Sequence, residues 1–121
     1  MPCRRSETVN VMSDITKARE ALVERILRGD GMASTAQRRA AFDNVALPEP
    51  LRTLIDKVVK HAYKVTDADI TAVLTTGTSE DQIFELVVCA AIGEASRQYD
   101  TALAALDAAM ERSEHAPRDT R

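Results

Sequence analysis

The sequence predicts an all-α fold of about five helices, the last of them long. Three observations predict it. Apolar residues recur three and four positions apart in one segment after another, which gathers them on one side of a helix. Thr66 precedes Asp69 and Ser79 precedes Gln82 at the spacing of a helix capping box. No segment alternates apolar and polar residues for long enough to read as a strand.

The elements follow in order. Residues 1–13 carry no period and are expected to be a disordered N-terminus. A helix begins at a Ser13 or Asp14 cap and runs to about Arg28, with Ile15, Ala18, Leu22, Ile26 and Leu27 on its apolar side; Gly29-Asp30-Gly31 ends it. A weaker helix runs from Ser34 or Thr35 to about Asn44. Leu47-Pro48-Glu49-Pro50 is a linker, because the residue before each proline is pushed out of the helical region. Leu51, Leu54, Ile55, Val58, Val59 and Ala62 stripe a third helix that reaches Tyr63, with Asp56 and Lys60 paired on its outside. The Thr66 cap opens a short fourth helix to about Thr76, with Ile70, Val73 and Leu74 inside. The Ser79 cap opens a helix from Glu80 to Ser113, one face marked by Phe84, Val87, Val88, Ala91, Ile92, Ala95, Tyr99, Leu103, Leu106 and Met110. Gly93 in its middle costs about 1 kcal/mol relative to Ala, so a neighbour lies close there or the helix bends. Residues 14–113 thus form a single helical domain, and 114–121 a disordered tail.

Composition bounds what such a domain does. The 121 residues are 45% hydrophobic and 29% charged, as expected of a soluble protein, and only 3% aromatic, so Leu, Ile, Val and Ala must build the core. The net charge of −3 and the isolated pairs Arg4-Arg5 and Arg38-Arg39, read as solvated surface, argue against nucleic acid as a partner. No run approaches the ~20 apolar residues of a membrane span. The N-terminus lacks the hydrophobic segment of a secretory signal. Cys3 and Cys89 are far apart, and Cys89 sits in an apolar run as a buried thiol, so a cytoplasmic location is expected. Two histidines, one of them His115 in the tail, supply no metal-ligand spacing, and no cofactor is expected.

Lys60 to Asp69 holds the densest polar chemistry. His61 and Lys64, three residues apart, share a face if the helix continues, and Asp67 and Asp69 lie across the break with Tyr63 between. His61 as base, Lys64 as anion partner, Tyr63 as hydroxyl donor and the two aspartates would serve proton transfer or decarboxylation beside a carbonyl, on a small acidic or carbonyl-containing ligand. The alternative is structural: cations at the C-terminus of one helix and acids in the first turn of the next both suit the helix dipole.

From residue 51 onward the order of elements resembles the alkylhydroperoxidase D-like (AhpD-like) / carboxymuconolactone decarboxylase superfamily. There a C-x-x-C and a following His precede A-G-x-S-x-E-E-I and a long helix. Here the second element reads Thr76-Gly77-Thr78-Ser79-Glu80-Asp81-Gln82-Ile83, and the resemblance covers roughly residues 51 to 106. It implies an AhpD-like bundle that assembles as a homo-oligomer, a trimer or hexamer, through its long helices. The redox pair would fall at Ala62 and Val65 with the histidine at Asp69, or, one residue earlier, at His61 and Lys64; neither register holds a cysteine. Glu49 lies near the spacing of the family's glutamate but stands between two prolines. Thiol peroxidase chemistry, which needs a thiolate and a resolving partner, is therefore not expected. Two readings follow: a non-redox small-molecule enzyme or ligand binder using His61 to Asp69, or a non-catalytic oligomeric subunit that works through its helix surfaces. A residual antioxidant activity ranks below both.

Overall fold

The computed structural model describes the backbone of residues 3–115 and the side chains of residues 14–113. It is all-helical: α1 Cys3–Arg28, α2 Thr35–Asp43, α3 Leu51–His61, a 3-10 turn Ala62–Lys64, α4 Asp67–Leu74 and α5 Glu80–His115, with no strand among the described residues. No described helix is long and apolar enough to cross a membrane.

Three helices open on reciprocal capping boxes, two of them at the sequence-predicted positions. Gln82 N donates to Ser79 Oγ (3.1 Å) and Ser79 N to Gln82 Oε1 (2.8 Å). Thr66 and Asp69 exchange the same pair of bonds, and Ser34 and Gln37 repeat it at α2. Each box satisfies amides that the first helical turn leaves without carbonyl partners.

Three boundaries differ from expectation. α1 begins at Cys3 rather than at a Ser13 or Asp14 cap, so the expected disordered N-terminus is helical from Cys3 onward. No glycine or proline interrupts residues 3–13, and Ser13 and Asp14 are tolerated inside a helix at a few tenths of a kcal/mol each. Likewise Glu114 and His115 extend α5, while the rest of the expected tail, 116–121, lies outside the described residues. α3 stops at His61 rather than at Tyr63, because His61 takes φ −150°, ψ 63° and the chain tightens into the 3-10 turn.

The core is aliphatic, as the composition requires: Leu27, Ala33, Ala41, Leu47, Leu51, Leu54, Ile55, Val73, Ile83, Leu86, Cys89 and Ala90 are buried. α2 lies along α5 at its centre. The face α5 turns inward is Ile83-Leu86-Cys89-Ala90-Gly93, not the face through Phe84, Ala91 and Ala95, which are exposed. The helix is apolar on nearly every side here, so periodicity does not choose its face. Gly93 does: a Cβ at this position would stand 2.0 Å from Phe42 O and 2.8 Å from Phe42 C. Only a residue without a side chain lets the last turn of α2 rest on α5. One turn on, Arg97 Nη1 donates to the same Phe42 carbonyl at 2.7 Å, supplying a partner to a helix end.

At the other end of α2, Arg38 corrects the reading of Arg38-Arg39 as surface. Arg38 is buried, and Arg39 alone is exposed. The Arg38 guanidinium donates to Ile26 O (3.4 Å) and Gly29 O (2.6 Å) at the end of α1 and to Ala33 O (3.0 Å) beyond it. It acts as a cationic cap on carbonyls that the helix leaves unpaired.

Candidate functional site

His61, Tyr63, Lys64, Asp67 and Asp69 do not converge on a cleft. The turn at His61 removes the continuous α-helix on which His61 and Lys64 would have shared a face. His61, Tyr63, Lys64 and Asp67 are all exposed, Tyr63 at 81%. Tyr63 meets the His61 ring edge-on with centroids 5.9 Å apart, and Lys64 Nζ lies 5.9 Å from the Tyr63 ring centre. These are surface contacts between neighbours in sequence.

Asp69 is separated from that group by its own bonds. Its Oδ2 accepts from Thr66 N (2.9 Å) and Thr66 Oγ1 (3.1 Å), and Lys57 Nζ on α3 reaches both carboxylate oxygens at 3.0 and 2.8 Å. The Lys57 ammonium, and then the Thr66 amide, hold the Asp69 carboxyl below the usual carboxylate range. A carboxylate so held is a poor proton acceptor and a good helix cap that ties α3 to α4. The structural alternative for Asp69 is therefore what the geometry supports. Thr66→Ala is expected to lower stability by about 1 kcal/mol, the usual loss of an N-cap side chain, while His61→Ala and Tyr63→Phe stay within about 0.5 kcal/mol of the parent in thermal unfolding. An equal loss from His61→Ala would show that contacts hold the ring in place.

A concavity lies elsewhere, between the end of α1 and the start of α5. It is a half-open groove of about 640 Å³. Leu22 and Phe84 stand at its lip, 45% and 68% exposed. Ile26, Val88 and Cys89 form its apolar wall, and Arg38 and Glu85 supply its polar lining. Glu85 accepts from Met32 N (2.8 Å to Oε2) and Ala33 N (2.8 Å to Oε1), and lies 3.9 Å from Arg38 Nε. The Met32 and Ala33 amides, with Arg38 after them, keep its carboxyl below the usual range. Cys89 is buried, as expected; burial raises its pKa and its Sγ points to Ile26 O at 3.5 Å. Among the described residues no second thiol lies beside it to form a redox pair.

Arg38 and Glu85 are the residues that sequence reasoning missed. Glu85 carried a faint signal, a lone acid between Phe84 and the apolar run that starts at Leu86. Arg38 carried none, since its partners are backbone carbonyls. Among the described residues no group of three His, Cys, Asp or Glu side chains is placed to hold a metal. No family profile matches the chain, and neither does any curated protein or solved structure.

Proposed function

We propose that this chain is a non-catalytic helical subunit of AhpD-like architecture, without that superfamily's redox thiols, which works by self-association through the far half of α5. The observation that carries this reading is the exposure of α5 beyond its contact with the body. From Thr101, just past the Arg19–Asp100 ion pair with α1, to Ser113 every side chain is exposed except the half-buried Leu103. That is about 20 Å of helix at 1.5 Å per residue. Leu103, Leu106 and Met110 nonetheless keep an apolar stripe along it, with Leu106 and Met110 each 54% exposed.

A second copy suits this surface better than a strongly charged partner. Leu103, Leu106 and Met110 recur three and four positions apart on one side of α5, so a second copy of the helix laid antiparallel can meet this stripe with its own. Such a contact is self-complementary, as a two-fold interface must be. The exposure of His61, Tyr63 and Lys64, and the capping role of Asp69, weigh against the enzymatic reading of the same scaffold.

Light scattering on the eluting protein tests the proposal. A mass that is a multiple of 13.2 kDa at tens of micromolar is expected, and Leu106→Glu combined with Met110→Glu should return it to the monomer with helicity retained. A monomeric parent would overturn the reading.

A further inference from the structure

We propose that the groove between α1 and α5 binds a small amphipathic carboxylate, with its anionic head at Arg38 and its apolar body against Phe84, Leu22 and Val88. The volume of about 640 Å³ falls within the range of small-molecule sites, and the walls are apolar around a few polar groups, as in such sites. Two large apolar side chains, Leu22 and Phe84, are held at the lip with much of their surface in water. An apolar ligand would remove that surface from water.

The anion is argued from Arg38. Its Nε donates to Ala33 O and its Nη1 to Ile26 O and Gly29 O, while Nη2 has no acceptor among the described residues. The residue is only 6% exposed, yet among the described residues no buried side-chain nitrogen or oxygen lacks a partner, so Nη2 must still reach solvent. Glu85 does not fill the vacancy. Its carboxylate is committed to the Met32 and Ala33 amides and stays 3.9 Å from Nε. A fixed, largely desolvated guanidinium with one free edge selects a carboxylate, because charge-assisted hydrogen bonds are about twice as strong as neutral ones. Arg25 lines the groove as a second cation, and the two acids that also line it, Asp30 and Glu85, limit the site to ligands of low charge.

The test is a titration of the full chain, labelled with nitrogen-15, by octanoate and separately by 1-octanol, read from amide chemical shifts. Saturable shifts are expected around residues 22–29 and 84–89, with octanoate binding at least tenfold tighter than octanol. Phe84→Ala should weaken octanoate about fivefold, and Leu106→Glu should leave it unchanged. Arg38→Lys, where its spectrum shows a folded chain, should lose the preference for the anion. Equal affinity for the two probes, shifts centred on residues 100–113, or no saturation would each overturn the proposal. The Leu106→Glu arm keeps this outcome separate from the fate of the self-association reading.

Discussion

Gly93→Ala is expected to destabilise the fold by about 2–3 kcal/mol, although alanine is the better helix former by about 1 kcal/mol. The sign follows from distance. The new methyl would stand 2.0 Å from Phe42 O, 2.8 Å from Phe42 C and 3.0 Å from Phe42 Cα. All three are backbone atoms, so no rotamer change relieves the clash. α2 must lift from α5, and lifting it breaks the 2.7 Å bond from Arg97 to the same carbonyl. Against the 5–15 kcal/mol that usually separates folded from unfolded states, the loss is large. Gly77→Ala supplies the comparison. Nothing lies within 4 Å of a Cβ there, and the cost is only that of a non-glycine residue at φ +97°, about 1–2 kcal/mol. Urea unfolding of both variants should rank Gly93→Ala as the more damaging, with an unchanged slope against denaturant. A Gly93→Ala protein as stable as the parent would mean that α2 does not rest on α5 at this point.

Glu85→Gln is expected to cost about 2–3 kcal/mol at neutral pH. The carboxylate spends both oxygens on the Met32 and Ala33 amides and is the acidic group nearest the Arg38 guanidinium. Glutamine offers one oxygen, and its NH2 must face an amide donor. It also leaves the side chain of Arg38, only 7% exposed, without a counter-charge. The pH dependence has a definite sign. The folded-state pKa of Glu85 is lowered, chiefly by the Met32 amide and then the Ala33 amide. Its contribution is therefore fully present above the unfolded value of about 4.3 and is lost as pH falls through the lower folded value. The gap in unfolding free energy between parent and variant should be constant from pH 7 to about 5.5 and shrink below about 4.5. A gap that persists undiminished to pH 3 would assign the loss to packing rather than to charge.

What the sequence disclosed and what it concealed divide along a physical line. Thr66-Asp69 and Ser79-Gln82 were legible because a capping box is a local bond between residues three apart. Cys89 was legible as a core residue from its apolar neighbours. Gly93 announced a close neighbour through its cost in mid-helix, but not that the neighbour was the carbonyl of Phe42. The inward face of α5 was misplaced because residues 86–92 are apolar all round, and a period cannot be read where every position is alike. Arg38 was concealed because its acceptors are the carbonyls of Ile26, Gly29 and Ala33, and main-chain groups leave no mark in a sequence. The polar residues 61–69 drew attention through their chemistry. Their exposure depends on the backbone at His61, where the helix gives way to a tighter turn.

The seating of α2 on α5 has a consequence for how this chain can change its length. α2 is fastened at two points: the amides of Met32 and Ala33 to Glu85, and the carbonyl of Phe42 to the notch at Gly93. Ala33 lies nine residues before Phe42 and Glu85 eight before Gly93, and from Thr35 onward the first span is helical, as the second is throughout. The two helices therefore gauge each other. One residue inserted or deleted between the fastenings, on either helix, shifts one anchor by 1.5 Å and turns it by about 100°, so that both cannot engage together. Length is constrained over these two spans, while α5 beyond Asp100 is free of that measure and can be shortened or extended without disturbing it.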